Sequence, residues 1–295
     1  MSGRARASIV VIGDEILDGF VRDSNSGWLA GRLQVTGIAV DRIVVVPDER
    51  AAIAEALGTE LARSRPRVLF TSGGIGTTPD DRTMAAVASF LGVGLVGEPT
   101  LLTMVDDIVA RLVARGHDVD AAHRAALAKL AHVPDGARAL TGPDGGAPAV
   151  SIALDGGIEA PGGAAIVILP GVPEQFRTLV RHLERTLLRD RGEPVHVVEL
   201  HHGYPESVLT PTLEALERQM PEVDIGSYPG AECVLRIKGP AQAVERAVTR
   251  LQQVIDGFAD DPGMQRLAQA WQRGWRDPDT SGTQRAADAT GTPGQ

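Results

Sequence analysis

The sequence predicts an α/β fold with a mostly parallel sheet and a smaller split βαββα lobe, on three observations. Apolar runs rich in β-branched residues alternate with helix-spaced stripes through the first half, the rhythm of parallel strands joined by crossover helices. One such run ends in the glycine loop "TSGGIG" and feeds another helical stripe. Beyond Val195 the order changes to strand, helix, two short strands and helix, which suits a separate small lobe.

In chain order, the first strand is Ser8–Ile12, and helical spacing resumes after "RDSNSG", where Asp23, Ser24 or Asn25 can cap a helix that turns Leu29 and Leu33 inward. A second strand spans about Ile43–Val46, and a helix capped near Asp48 carries Ile53, Leu57 and Leu61 until Pro66 ends it. The third strand is Arg67–Thr71. After the glycine loop, Met84, Val87, Ala88 and Leu91 fall on one helix face, and a helix over roughly Thr100–Arg115 shows a stripe through Leu101, Val105, Ile108 and Leu112. The glycine- and proline-rich stretch from Gly142 to Gly163 predicts a hairpin with broad turns, ending in the buried strand and tight turn of "AIVILPGVP". The domains expected are 6–173 for the α/β part, 174–258 for the small lobe and 259–295 for a tail. Within the tail, "MQRLAQAWQRGW" predicts a helix folding back on its own protein, and 277–295 has the composition of a disordered segment.

A chain of 295 residues with 43% hydrophobic composition can bury a substantial core. Its net charge of −9 opposes nonspecific attraction to nucleic acid or an anionic membrane, so any polyanionic ligand must be gripped locally. The single cysteine, Cys233, excludes an internal disulfide and a cysteine-built metal cluster, and reads as a small buried hydrophobe. The apolar run near the N-terminus is too short for a signal peptide or a membrane span, so a cytoplasmic location is expected. His201 and His202, adjacent in a strand, point to opposite faces and are poorly placed to share one metal.

A strand ending in Ser72, Gly73, Gly74, Ile75 and Gly76 before a helix gathers backbone N–H groups around one small volume, which favours a bound anion. Neither the lysine of an NTPase phosphate loop nor the full dinucleotide-binding glycine spacing is present. Asp80 and Asp81 open the next helix, where one can cap it and the other can reach the loop mouth. Two carboxylates beside a phosphate repel it unless a divalent cation intervenes. A second acidic pair, Asp14 and Glu15, follows the first strand at the same carboxyl edge, where open α/β sheets bind their ligands.

The segments "GDEILDG…RDSNSGWLAGRL", "TSGGIGTTPDD" and "LPGVPEQF", in this order, resemble competence/damage-inducible protein A, the CinA-type members of the molybdopterin-binding (MoaB/Mog-like) superfamily. The resemblance covers about residues 8 to 257, including "SYP" at Ser227–Pro229. It implies a three-layer α/β domain with its ligand at the glycine loop, and makes site positions of Gly13, Asp14, Glu15, Asn25, Ser72, Gly73, Gly74, Ile75, Gly76, Thr78, Asp80, Asp81, Pro170, Gly171, Val172 and Pro173. Two departures stand out: Thr77 occupies a position where the family usually has proline, and the family's "NPxGTAPG" segment is reduced to "GPDGGAPA" (Gly142–Ala149). The final 37 residues from Ala259 are too few for the amidohydrolase domain that full-length relatives carry.

The activity the resemblance implies is hydrolysis of the pyrophosphate bond in ADP-ribose or a related dinucleotide, dependent on magnesium, manganese or cobalt. Asp81, Asp80 and Asp14 are then the catalytic and metal-ligating candidates, with their roles unassigned among them. The alternatives are a module that binds or adenylylates molybdopterin in molybdenum cofactor metabolism, and a noncatalytic regulatory protein. The partners expected are a small nucleotide or pterin and a second copy of the chain in a homodimer, with no nucleic acid and no membrane.

Overall fold

The computed structural model describes residues 5–140, 149–158, 160, 162–192 and 195–276. The chain divides into two units between residues 194 and 195. In the first unit it runs β1 (Arg6–Ile12), α1 (Asp14–Leu17), α2 (Asn25–Val35), β2 (Ala39–Val46), α3 (Arg50–Leu61), β3 (Arg67–Ser72), α4 (Thr83–Leu91), β4 (Leu95–Gly97), α5 (Pro99–Ala114), α6 (Ala121–Ala128), β5 (His132–Pro134), β6 (Arg138–Ala139), β7 (Val150–Leu154), β8 (Ala164–Leu169) and α7 (Pro173–Arg185).

Six of these strands form one sheet in the order β2-β1-β3-β8-β7-β6. The first four are parallel, and β7 and β6 extend the sheet antiparallel. Parallel strands covered on both faces read as continuous apolar runs, and every residue of β3 and β8 is buried. Alternate side chains serve opposite cores. Ile9, Val11, Phe70 and Val167 meet Leu29 and Leu33 of α2 and Phe176, Leu179 and Leu183 of α7. Val10, Ile12, Leu69 and Ile168 meet Ile53 and Leu57 of α3, Val87 of α4, and Leu101 and Val105 of α5. The result is three layers, helix on sheet on helix.

A buried polar cluster ties the strands together at the amino edge of this sheet. Arg67, fully buried, pairs with Asp41 and donates to the Ser8 hydroxyl at 2.7 Å, and that hydroxyl donates to Glu60 at 2.7 Å. The carboxyl edge is left for the loops that build the site.

Two expectations about this unit need correction. Its boundary falls beyond α7 and not at Pro173, because the apolar stripe of α7 is buried against the first unit's sheet. The α5 stripe that reaches the core is Leu101, Val105 and Val109, whereas Ile108 is only half-buried. The short α1, the α6 helix and the small antiparallel pair β4–β5 were not anticipated. The altered motif at Gly142–Ala149 lies almost entirely outside the described residues, as does the segment 277–295 expected to be disordered.

The second unit contains β9 (His196–His202), a 3₁₀ turn (Glu206–Val208), α8 (Thr210–Gln219), β10 (Asp224–Tyr228), β11 (Cys233–Gly239), α9 (Ala241–Ala259) and α10 (Pro262–Arg276). Its antiparallel sheet, β10-β11-β9, is the expected small βαββα arrangement, with a core of Leu209, Leu216, Leu235, Ile237, Val244 and Leu251. Cys233 is buried, and α10 folds onto its own unit through a Trp271 indole N–H that donates to the Gly230 carbonyl at 3.0 Å. His201 faces outward beside Glu232 at 3.3 Å while His202 turns inward, so the two do share no site. No helix among the described residues is long and apolar enough to cross a membrane.

Candidate functional site

The four parallel strands deliver their carboxyl ends side by side, and each is followed by a segment that shapes the site: 13–15 after β1, Asp48 after β2, 73–76 after β3 and 170–173 after β8. The glycines of the β3 loop are required sterically. A Cβ on Gly73 would stand 2.2 Å from the Ile12 carbonyl oxygen, at φ +106°, and one on Gly74 would stand 2.3 Å from the Thr83 hydroxyl, at φ +66°. The loop is closed onto α4 by Thr83, whose hydroxyl donates to the Gly73 carbonyl at 2.8 Å and whose amide donates to the Gly74 carbonyl at 3.0 Å. Asn25, buried at the start of α2, joins three segments, donating to the Ser72 hydroxyl at 3.2 Å and to the Gly171 carbonyl at 2.8 Å. Its Oδ1 has no hydrogen-bond partner among the described residues. The α2 cap proves to be Asp23, which accepts from the Asn25 and Ser26 amides.

Asp81 already occupies part of the glycine loop. Its carboxylate accepts from the Gly76 amide at 2.6 Å, the Thr78 amide at 2.8 Å and the Thr78 hydroxyl at 2.6 Å. Two of the amides expected to hold a ligand anion are therefore committed to the chain's own carboxylate. The amides of Gly74, Ile75 and Thr77 make no hydrogen bond among the described residues. Neither aspartate caps α4, which begins at Thr83 after Arg82 without a side-chain cap. Lys129 reaches the loop from the other side, donating to the Thr77 carbonyl at 3.3 Å.

Asp14 and Asp48 are engaged elsewhere. Asp14 and Asp48 bond each other's backbone reciprocally, the Asp14 amide to Asp48 Oδ2 at 3.0 Å and the Asp48 amide to Asp14 Oδ1 at 3.3 Å, which fastens the ends of β1 and β2 together. Asp48 is buried, and burial pushes its carboxyl above the ordinary range; the Asp14 amide pulls it back, while the charges of Asp14, Glu15 and Asp80 push it further up. Asp80 is exposed, and the Thr78 hydroxyl, its own backbone amide and Arg82 hold its carboxyl below the ordinary range despite a small opposing effect of desolvation. Among the described residues no three His, Cys, Asp or Glu side chains gather closely enough to ligate a metal ion. The set Asp14, Asp80 and Asp81 thus does not fit a ready-made metal cage.

Beside the loop opens a cavity of about 670 Å³, within the size range of ligand pockets. Of the residues anticipated from sequence, it is lined by Glu15, Gly73, Gly74, Ile75, Gly76, Asp81, Pro170, Gly171 and Val172. Gly13, Asp14, Asn25, Ser72, Thr78, Asp80 and Pro173 stand behind or beside it, and the first five of these support the lining segments. Sequence reasoning missed the opposite wall, which is Met104, Ile108 and Arg111 of α5 with Leu130, and it missed Gln175. It also read Asp48 as a helix cap only. The available signal for the wall was the spacing 104, 108, 111, which places three side chains along one side of a helix.

A parallel-sheet domain with a glycine loop, a fixed carboxylate and a ligand-sized cavity at the carboxyl edge defines an α/β module with a candidate ligand site where open α/β sheets carry theirs. Residues 8–190 match the family described as "Probable molybdopterin binding domain", and the chain belongs to that family. A relative from Aeropyrum pernix is 36% identical over 78% of this chain and 81% of its own length. A CinA-like protein from a Mycobacterium species is 39% identical over 75% of this chain but 51% of its own length, so the chain spans about half of that relative. The solved structure of CinA from Thermoplasma acidophilum, described as of unknown function, superposes with a TM-score of 0.50 at 29% identity, covering 61% of this chain and 96% of that one. The CinA-type resemblance and the expected α/β class both stand.

Proposed function

We propose that the first unit takes a phosphorylated heterocyclic ligand, of the molybdopterin or nucleotide type, into the cavity between the glycine loop and α5, and that Asp81 acts at the ligand's phosphate-bearing end. The observation that carries this reading is the Asp81 carboxylate, fixed by three donors on the rim of a ligand-sized cavity. The Gly74 and Ile75 amides remain to bind an anion there, and the apolar wall suits a flat ring. Membership of a molybdopterin-binding family supports the ligand type.

A second reading is favoured by the presence of two carboxylates, Glu15 and Asp81, on the same cavity. One of them can take a proton from a water attacking a bound diphosphate, which makes the domain a pyrophosphatase for ADP-ribose or a similar dinucleotide; general base catalysis of this kind contributes roughly 10²–10⁴-fold.

Incubation with ADP-ribose, in parallel with magnesium, manganese, cobalt or a chelator, followed by chromatography for AMP and ribose phosphate, separates the readings. Cleavage that disappears in Asp81→Asn supports hydrolysis. Retention of AMP or ADP-ribose in equilibrium dialysis without cleavage supports binding, and retention of neither rejects the nucleotide form of the proposal. Turnover by Asp81→Asn at the wild-type rate removes Asp81 from the chemistry.

A further inference from the structure

The α5 wall has a composition that the loop side lacks. Met104, Ile108 and Arg111 stand at i, i+4 and i+7, one side of the helix over about 10 Å of its axis, and all three line the cavity. The core-facing residues Leu101, Val105 and Val109 occupy a neighbouring stripe. Arg111 is the only cation among the described lining residues, which otherwise carry the two carboxylates of Glu15 and Asp81. Its guanidinium forms no ion pair or hydrogen bond among the described residues, although Asp107 lies four positions earlier, the spacing at which helical ion pairs form.

We propose that Arg111 is the specificity-determining anion anchor of this cavity, binding a phosphate of the ligand while Met104, Ile108 and Leu130 seat the ring beside it. The inference rests on the reading of this cavity as the ligand site and assigns the selection of ligand to α5. Chemically, a guanidinium offers a planar fork of donors to a phosphate, and it stands in a cavity whose carboxylates disfavour any anion left without a cationic partner. The apolar stripe supplies no hydrogen bonds, so it holds a flat ring by contact and burial.

The test is equilibrium binding of AMP and of adenosine to the full chain by titration calorimetry, with wild type, Arg111→Gln, Arg111→Lys and Ile108→Asn. Arg111 is exposed, so its replacement leaves the core intact. The expected result is an AMP affinity lowered about ten- to hundredfold in Arg111→Gln, the range for losing a charged hydrogen bond, with adenosine affinity unchanged. Arg111→Lys should recover part of the loss, and Ile108→Asn should weaken both ligands. Equal AMP affinity in wild type and Arg111→Gln overturns the role of Arg111 while leaving the cavity reading in place. A wild-type chain that binds neither AMP nor adenosine at millimolar concentration overturns both the nucleotide form of the cavity reading and the assignment of Arg111 as its phosphate anchor.

Discussion

Asp81 accepts three hydrogen bonds from its own loop, so a substitution there has two separable effects. An asparagine keeps one acceptor oxygen but presents an amide N–H₂ where the second oxygen stood, which should cost about 1 kcal/mol of stability by urea titration, in addition to any loss of turnover. Asp80→Asn, at an exposed position outside the cavity, should leave the unfolding midpoint at neutral pH near that of wild type. His202 shows a different residue-level effect. Burial depresses its folded-state pKa, only partly offset by a hydrogen bond with the Tyr204 backbone and the charge of Glu206, and its Nε2 has no partner among the described residues. The unfolded chain therefore binds the proton first as pH falls, so the second unit should lose stability below the unfolded pKa of about 6.5, by at most about 1.4 kcal/mol per pH unit. Urea midpoints at pH 7.5 and 5 should diverge in wild type and converge in His202→Phe; equal divergence in both would assign the acid sensitivity elsewhere.

At the scale of elements, the glycine loop was legible in the sequence and the α5 wall was not. Glycines at 73 and 74 are demanded by positive φ and by the Ile12 and Thr83 oxygens, and such demands leave a visible pattern. Gly73→Ala should accordingly destabilise the first unit by at least about 1–3 kcal/mol and leave the second unit unchanged, as read by hydrogen exchange of β1 and β3 amides. On α5, a stripe through 101, 105, 108 and 112 satisfies helical periodicity as well as one through 101, 105 and 109. Only the packing of α5 against the sheet distinguishes core from cavity, and periodicity carries no record of it. Asp48 escaped for a related reason: an aspartate between a strand and a helix looks like a cap until the Asp14 backbone is placed beside it. The apolar stripe of α7 was equally uninformative about its partner, so the sequence boundary fell too early.

The whole molecule consists of two units with separate cores, and no residue of the second unit's core cluster belongs to either core of the first. A fragment covering 195–276 should fold by itself and unfold cooperatively in urea, with the same His202-dependent acid sensitivity as the full chain. A fragment with a molten-globule signature would mean that its packing depends on the first unit. In the first unit, α5 contributes Leu101 and Val105 to the core and Ile108 and Arg111 to the cavity, with Met104 lining the cavity while also packing against the core. Inheritance acts on these two sides differently. Changes at the core positions are purged because they lower the folded population, whereas changes at Ile108 and Arg111 should alter the cavity at small cost to folding. On the proposed reading of the cavity, ligand choice is carried by a few codons of a single helix, and a library randomised at 108 and 111 alone should yield mostly folded proteins with divergent ligand preferences, whereas randomising the core-packed Met104 should also lower the folded fraction.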